Sequence, residues 1–144
     1  MELNVKKLHP DAKLPEKAHD DDAGIDFFSI DEGTLETRPP YDFNTFGTGV
    51  AIQIQKGHVG ILFDRSGMAT KNRIERCAGV IDAGYRGEVK VALANRGWCD
   101  KDIHVGDKIA QMVIFEIPDI TIVEVDELND TERGGKGFGS TDNT

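Results

Sequence analysis

The sequence lacks the features of several large classes of protein. No stretch of its 144 residues approaches the roughly 18 consecutive apolar residues that a membrane-spanning helix needs. The first ten residues contain no apolar segment typical of a secretory signal peptide. We therefore expect a soluble, cytoplasmic protein without a membrane partner, long enough to form one domain with a substantial hydrophobic core.

Cysteine and positive charge are also scarce. Cys77 and Cys99 lack CxxC spacing, and the 4 histidines form no HExxH motif or Cys/His cluster, so zinc chemistry has no framework. We predict that both cysteines are reduced and lie in or near the core. The 17 Lys and Arg residues against 26 Asp and Glu residues give a net charge of −9. Direct binding of nucleic acid is therefore not expected, and an anionic ligand would need a basic pocket or a bridging cation.

The chain is instead rich in glycine and in short runs of alternating apolar residues. Such alternation, which is typical of strands, occupies residues 3–5, 50–54, 89–93 and 120–125. One segment, residues 66–72, is suited to a short helix, with Ser66 as a candidate N-cap. The pattern predicts an all-β sandwich or barrel with one short helix.

The end of the chain differs from the rest in composition. It is rich in glycine, so we predict that residues 1–131 form the β-barrel domain and that residues 132–144 form a flexible arm. The arm is not a Walker A loop, because Lys136 is not followed by Ser or Thr. With Arg133, Lys136 and Phe138, it is suited to fold over an anionic ligand that carries a ring.

An acidic residue and a basic turn stand out among the predicted strands. Asp26 lies where an apolar strand begins, and a buried carboxylate there would need a cation or a hydrogen-bond network. Arg65, Ser66 and Gly67 follow another apolar strand and begin the predicted helix. A positive charge beside free N–H groups and a glycine suits a phosphate, although an ordinary capped turn has the same pattern.

Two further segments carry polar side chains in places that attract attention. Residues 79–89 have the pattern of a hairpin with Asp82 and Tyr85 at its bend. There the two side chains could meet a ligand, or Asp82 could simply make an Asx turn. Gln111 is the uncharged polar residue of a predicted buried strand, and its amide needs partners, whether structural or from a ligand.

Taken in order, five segments resemble the five ordered motifs of the trimeric dUTPase family. They are AGID at 23–26, RSGMA at 65–69, GVIDAGYRGEV at 79–89, GDKIAQM at 106–112 and RGGKGFGST at 133–141. Together they are far more specific than any one motif, and they extend over nearly the whole chain. The resemblance implies a distorted jelly-roll β-barrel, assembled as a homotrimer whose three active sites are each built from more than one subunit.

The resemblance also implies a reaction, the hydrolysis of dUTP to dUMP and pyrophosphate with Mg²⁺. This reaction limits uracil incorporation into DNA and supplies dUMP for thymidylate synthesis. Asp82 matches the carboxylate that activates the water attacking the α-phosphate and meets the sugar 3′-hydroxyl, and Tyr85 matches the ring packed on the deoxyribose. Asp26 matches the carboxylate that helps to hold Mg²⁺ through water, the ion being held mainly by the substrate phosphates.

The remaining positions carried over from the family are substrate contacts. Matches to the phosphate contacts are Arg65, Ser66, Gly67, Gln111 and Arg133. Matches to the hairpin that reads uracil are Val80, Ile81 and the backbone near Arg76 and Lys90. In the arm, Phe138 matches the aromatic residue that covers the base, and Gly139, Ser140 and Thr141 match the residues that close over the phosphates.

Some positions depart from the family pattern. Asp64 stands where a proline is usual, and its carboxylate could pair with Arg65 and weaken phosphate binding. Gly84, Met68 and Asp142 replace a frequent acidic residue, a frequent leucine and a frequent glycine. None of the residues assigned to the chemistry is missing, so reduced affinity is the largest effect that we expect.

Two alternatives to dUTP hydrolysis share the implied fold. The dCTP deaminases have a catalytic glutamate ten positions after the hairpin aspartate, where this chain has Ala92, so deamination is disfavoured. A dUTPase-like module that binds nucleotide only to regulate a protein partner is the other alternative. The complete set of acidic and basic residues argues against an idle site.

Overall fold

The computed structural model describes residues 1–37 and 43–135. Within these residues the chain forms ten strands and one helix, connected by turns. In chain order they are β1 (Asn4–Lys7), β2 (Ile25–Phe28), β3 (Gly33–Leu35), β4 (Phe43–Gln53), β5 (His58–Phe63), α1 (Ser66–Asn72), β6 (Ile74–Arg76), β7 (Val80–Asp82), β8 (Glu88–Asn95), β9 (Lys101–Ile103) and β10 (Lys108–Glu116).

The strands form two four-stranded antiparallel sheets and a two-stranded one. The first sheet has the order β1-β4-β8-β6, the second β2-β10-β5-β7, and β3 pairs with β9. Most neighbours in the sheets are not consecutive in sequence, as expected for a jelly-roll-like arrangement. The predicted all-β class with one short helix is therefore confirmed.

The hydrophobic core lies between the two large sheets. Alternation along β8 turns Val89, Val91 and Leu93 inwards, where each is at most 2% exposed. Met112 of β10 is fully buried and packs over Gly60 of β5, where a Cβ atom would lie 2.7 Å from its sulfur. Gly60 therefore leaves room for a large side chain whose burial contributes roughly 1.5–3 kcal/mol.

Helix α1 has the predicted bounds but not the predicted N-cap. The N-cap is Arg65, in an extended conformation and without a side-chain capping bond, and Ser66 is already the first helical residue. The prediction of Ser66 as the cap is thus wrong by one position. The helix ends at Arg73, which has a left-handed conformation with φ of 54° and donates its N–H to the carbonyl of Ala69.

Residues 120–125 do not form the strand that their alternation predicts. Strand β10 ends at Glu116, and the N–H of Ile117 then bonds to the carbonyl of Gly57 as the chain leaves the sheet. Beyond this point no strand of the described residues lies alongside, and Ile122 is 94% exposed. The alternation therefore has no partner strand within the described part of one subunit. The division of the chain after residue 131 stays a prediction.

The prediction that both cysteines lie in or near the core is also wrong. Cys77 and Cys99 are free and exposed. Cys77 lies in the connection between β6 and β7, and Cys99 lies in the loop that joins β8 to β9. Both positions are connections at the protein surface, where local hydrophobicity does not decide burial.

In the ranges that the structure describes, there is no helix with the length and apolar character needed to cross a membrane.

Arg73 provides a test of the helix end. A left-handed conformation costs a non-glycine residue roughly 1–2 kcal/mol, and glycine avoids this cost. Arg73 also stacks on Trp98, with the guanidinium carbon 5.6 Å from the ring centroid, so Arg73→Ala is the matched control that loses the stacking but keeps the backbone cost. We expect Arg73→Gly to be more stable than Arg73→Ala by about 1 kcal/mol in denaturant unfolding. Equal stability of the two variants would contradict the interpretation.

Candidate active site

A cavity of about 370 Å³ opens where β2, β10 and the first turn of α1 meet. It brings together residues that are far apart in the sequence. Its lining consists of Ala18, Asp22, Ala23, Gly24, Asp26, Arg65, Ser66 and Gln111. Three of the segments singled out in the sequence therefore form one site, although 85 positions separate Asp26 from Gln111 (111 − 26).

Asp26 is the buried anion of this cavity, at 7% exposure. Its Oδ1 accepts a hydrogen bond from Nε of Arg65 at 3.0 Å, and its Oδ2 pairs with Nζ of Lys108 at 2.9 Å. Lys108 also contacts Glu16 at 3.2 Å. A buried Asp26 was expected to need a cation or a hydrogen-bond network, and the structure supplies two cations, Arg65 and Lys108.

Lys108 was not among the residues expected at the site. It lies at the start of β10, opposite Phe28, where the register of the strands brings it next to Asp26. Hydrogen bonds to the carboxylates of Asp26 and Glu16 raise the pKa of Lys108 above its usual range. Because the pKa of Lys108 is raised in the folded state, its ion pairs stabilise the fold below about pH 10.5. This stabilisation is lost as the pH rises through the raised pKa of Lys108. The only indication of Lys108 in the sequence was its place in the segment GDKIAQM.

Asp64 does not form the ion pair with Arg65 that the sequence suggested. The Arg65 side chain bonds to Asp26 instead. The carboxylate of Asp64 accepts a hydrogen bond from the backbone N–H of Arg76 at 2.8 Å. The expectation fails because neighbouring residues in an extended segment point to opposite sides, and only Arg65 faces the cavity.

Gln111 reaches the cavity from β10 and has a structural partner as well. Its Nε2 donates to the backbone carbonyl of Asp64 at 2.9 Å. Its Oε1 lies against Gly24, where any Cβ atom would collide with it. The amide is therefore held between the two segments, with Gly24 leaving the space that it occupies.

A second cavity, of about 210 Å³, lies at the bend between β7 and β8. The predicted hairpin is wrong, because β7 pairs with β5 whereas β8 pairs with β4 and β6, so the two strands lie in different sheets. It is lined by Val80, Ile81, Asp82, Tyr85, Glu88 and Lys90. Five of these six residues were predicted from the sequence, the exception being Glu88. Arg76, predicted through its backbone, lies before this cavity at the end of β6.

The bend between β7 and β8 positions Tyr85. Its N–H donates to the carbonyl of Asp82 at 3.0 Å, and its hydroxyl donates to the carbonyl of Glu88 at 2.9 Å. A Cβ atom at Gly87 would lie 2.6 Å from the tyrosine ring, so the ring lies directly on the glycine backbone. The ring is thereby fixed at one side of the cavity, with Tyr85 44% exposed.

The Asp82 carboxylate is not used to build the turn. The backbone carbonyl of Asp82 closes it, and within residues 1–37 and 43–135 no hydrogen bond or ion pair of the side chain is found. The Asx-turn alternative is therefore not what the structure contains. Asp82 is exposed at the end of β7, on the strand at the edge of its sheet.

The structure does not bring all predicted site residues together in one subunit. The two cavities share no lining residue. Arg133 is described and exposed, whereas Phe138, Gly139, Ser140 and Thr141, with Asp142, lie outside the described residues. A single chain thus presents two half-sites. One is rich in charged side chains, and the other lies at the bend between β7 and β8.

The donors at the charged cavity limit how a metal ion could be held. In the part of the chain that the structure describes, no group of three or more His, Cys, Asp and Glu side chains is placed to hold one. The cavity has two carboxylates, Asp22 and Asp26. The hydrogen bond from the backbone N–H of His19 lowers the pKa of Asp22, which keeps that carboxylate charged. Hard oxygen donors of this kind fit a magnesium ion whose other ligands come from elsewhere.

Comparison with known proteins identifies the family. Residues 10–142 match the family model described as dUTPase. The chain belongs to the dUTPase family. A deoxyuridine 5'-triphosphate nucleotidohydrolase of Clostridium kluyveri is 46% identical over 143 residues, which cover 98% of each chain. That of Clostridioides difficile is 44% identical over 141 residues, 96% of each chain.

Solved structures of the dUTPase family have the same fold. A dUTPase of Staphylococcus bacteriophage 80alpha, solved with dUpNHpp, has a TM-score of 0.87 at 32% identity and covers 97% of this chain and 98% of its own. A dUTPase of phage phi11 of S. aureus, described with a structural Mg(II) ion, has a TM-score of 0.81 at 29% identity, covering 90% and 100%. The jelly-roll fold and the prediction of an enzyme, a hydrolase of nucleotide metabolism, are confirmed.

Asp26→Asn tests the charged cavity of this dUTPase family member. The substitution leaves Arg65 without its carboxylate partner and Lys108 with Glu16 alone, so we expect the free energy of unfolding to fall by about 1–2 kcal/mol, less than for a fully buried pair because both cations are partly exposed. Glu75→Gln is the matched control, because it breaks an ion pair with Arg96 whose two side chains are 47% and 48% exposed. The control should lose less than about 1 kcal/mol. Equal losses in denaturant unfolding would contradict the role given to Asp26.

Proposed function

We propose that the protein is a dUTP diphosphatase, which hydrolyses dUTP to dUMP and pyrophosphate in the cytoplasm. This activity would limit uracil incorporation into DNA and supply dUMP for thymidylate synthesis. The observation that carries the proposal is the pairing of two half-sites on one chain. One has cations and carboxylates suited to a metal-bound triphosphate, and the other, at the bend between the edge strand β7 and β8, is suited to a base and a sugar. The names of the relatives agree with this substrate.

The base is bound along β7 in this proposal. As the last strand of its sheet, β7 pairs with β5 on one side and has main-chain groups on the other, near Val80 and Ile81. Backbone near Arg76 and Lys90, in the other large sheet, also contacts the base in this proposal. Cytosine presents the opposite pattern of donors and acceptors to that of uracil, so two groups would stay unmatched at about 1–3 kcal/mol each. The ring of Tyr85, fixed on Gly87, packs against the deoxyribose.

The phosphates occupy the charged cavity. Arg65, Ser66, Gly67 and Gln111 contact them there, and Arg133 from the arm reaches the γ-phosphate. Phe138 covers the base, and Gly139, Ser140 and Thr141 close over the phosphates. A guanidinium is suited to this work because it can form two parallel hydrogen bonds to one phosphate.

Asp26 helps to hold a magnesium ion through water in this proposal, with the substrate phosphates as its main ligands. Its carboxylate already bonds to Arg65 and Lys108, which suits an indirect contact. When bound, the ion neutralises part of the charge of the triphosphate in a protein whose own net charge is −9.

Asp82 activates the water in the proposed reaction. Its carboxylate, which has no intramolecular partner among the described residues, orients one water molecule and accepts its proton. The water oxygen forms a bond to the α-phosphorus, and the bond from that phosphorus to the bridging oxygen of the β-phosphate breaks. Pyrophosphate leaves with the electron pair of that bond, and dUMP remains.

A homotrimer with shared sites is supported by the outer face of the second sheet. The strand register puts six apolar residues on the side away from the core, next to each other across β5, β7 and β10. They are Val59, Ile61, Phe63, Val80, Val113 and Phe115. Val80 is 67% exposed and Phe115 is 45% exposed, so the face is not covered within the described residues.

The same face carries functional residues at its margins. Asp82 lies opposite Val59, and Gln111 lies opposite Phe63. A second subunit packed on this face would therefore bring its own residues close to Asp82 or Gln111. This would join the two half-sites that a single chain keeps apart. The exposed apolar residues after β10, such as Ile122, would also find cover between subunits.

The substrate is tested by measuring pyrophosphate release from dUTP, dCTP, dTTP and UTP with Mg²⁺. We expect a preference for dUTP over dCTP of roughly 30-fold to 10⁴-fold in kcat/KM, from two unmatched base contacts. Ammonia release from dCTP would instead indicate a deaminase. Binding of dUTP without turnover would indicate a regulatory module.

Asp82→Asn tests the general base. Asparagine keeps the size of the side chain and cannot accept the proton, so we expect kcat to fall by about 10²- to 10⁴-fold with nucleotide binding largely retained. Asp119→Asn is the matched control, because it removes an exposed carboxylate that lines neither cavity. An unchanged kcat in Asp82→Asn would remove Asp82 from this role.

Light scattering coupled to size exclusion tests the assembly. The expected mass is three times 15.8 kDa. Phe115→Arg puts a charge on the apolar face and should reduce the trimer fraction, because burying an unpaired charge is costly. Trp98→Arg is the control, since Trp98 is 84% exposed but lies in the loop after β8. A wild-type monomer, or a trimer undisturbed by Phe115→Arg, would count against the proposed interface.

A further inference from the structure

We propose that Asp64 is a positioning residue that ties β7, the strand that meets the base, to the phosphate-binding turn, and that selectivity for uracil depends on the Asp64 carboxylate. The inference rests on the proposed function. It concerns a residue that departs from the family pattern, where proline is usual.

Asp64 lies at the junction of three parts of the site. Next to it in the chain is Arg65, which faces the charged cavity. Its backbone carbonyl accepts the hydrogen bond from Gln111 at 2.9 Å, and its side chain accepts the one from the N–H of Arg76 at 2.8 Å. One residue thus contacts the phosphate side through its main chain and the end of β6, which leads into β7, through its carboxylate.

Arg76 extends this restraint to the segment that leads into β7. Its Nη1 donates to the carbonyl of Ala78 at 3.0 Å, and its guanidinium lies 5.6 Å from the ring centroid of Phe63, at the end of β5. The carbonyl of the following residue, Gly79, accepts the N–H of Leu62 at 2.8 Å. The segment leading into β7 is therefore held against the end of β5, beside Asp64.

Strand β7 depends on such anchors because it is short. It has three residues and pairs with one neighbour, through Val80, Ile81 and Asp82. At its far end the turn that contains Tyr85 holds it, and at its near end the Asp64 and Arg76 contacts do. Loss of the near anchor would let the strand shift along β5, and with it the edge that meets the base.

The burial of Arg76 indicates how strongly this anchor is maintained. Its Nε is buried and has no hydrogen-bond partner within the described residues. A buried unpaired donor has a cost in free energy, which the neighbouring contacts have to offset. The hydrogen bond from the Arg76 N–H to Asp64, and the pairing of β6 with β8 in which Arg76 lies opposite Leu93, are two of these contacts.

A different effect of Asp64 can be separated from positioning by experiment. A carboxylate beside Arg65 also places a negative charge near the phosphates. If charge were its main effect, Asp64→Asn and Asp64→Ala would both improve the KM for dUTP. If positioning is its main effect, asparagine keeps an acceptor oxygen and preserves function, whereas alanine loses it.

The experiment compares wild type, Asp64→Asn and Asp64→Ala as full-length proteins. The kcat/KM values for dUTP and dCTP are measured, together with hydrogen–deuterium exchange of peptides covering residues 74–82. We expect Asp64→Ala to lose roughly tenfold in the ratio of dUTP to dCTP, because small displacements of a binding group have effects of this size or larger. Exchange in residues 74–82 should become faster, and Asp64→Asn should restore both values to near those of wild type.

Several results would overturn the proposal. These are an unchanged selectivity ratio in Asp64→Ala, an equal loss in Asp64→Asn and Asp64→Ala, or exchange in residues 74–82 that does not change. If Asp64→Ala does not fold, Asp64→Pro takes its place, since proline is the usual residue here in the family and has no acceptor side chain.

The exchange measurement separates this proposal from the proposed function. Should wild-type protein fail to hydrolyse dUTP, the function would be wrong, yet faster exchange in Asp64→Ala and its rescue by asparagine would still establish the anchor. Active wild type with no exchange difference would leave the function standing and remove Asp64 from this role.

Discussion

The charged half of the site depends on one buried carboxylate. Asp26 joins β2 to the first turn of α1 through Arg65, and to the start of β10 through Lys108. A carboxylate at 7% exposure is stable only with such partners, so the three elements are held together by the same charges that line the cavity. Arg65 and Lys108 thereby offset the charges of Asp26 and Glu16 beside the cavity, in a protein that is acidic as a whole.

The half of the site at the bend between β7 and β8 depends on backbone groups and small residues. Gly87 gives space to the ring of Tyr85, and the short strand β7 presents an edge without large conformational freedom. Such an edge can distinguish bases by their donors and acceptors, since main-chain groups do not change their identity as side chains do. The division of the site into a charged half and a backbone half matches the division of a nucleotide into phosphates and base.

Much of this organisation could be predicted from the sequence. The ordered motifs contain most of the residues that line the two cavities, although Ala18, Asp22 and Lys90 lie outside them, and the apolar alternation predicted β1, β4 and β8. Lys108 could not be predicted, because its contact with Asp26 results from the register of two strands distant in sequence. The hydrogen bond from Arg76 to Asp64 could not be predicted either, because it joins the end of β6 to the residue after β5, and these strands belong to different sheets. The alternation at 120–125 misled because a strand also needs a neighbour, and no local pattern reports whether one is present.

Helix α1 buries no residue completely, although Met68 packs partly against the core. Seven residues are too few to form a stable helix alone, so α1 is held mainly by its two ends. At its start Arg65 bonds to Asp26, and after its end the carbonyl of Arg73 accepts the N–H of Arg96. A segment fastened in this way opens locally at a lower free energy than the sheets do, and it opens without disturbing them. A ligand that binds Arg65 would therefore slow the local opening of the whole helix while leaving the dynamics of the sheets unchanged.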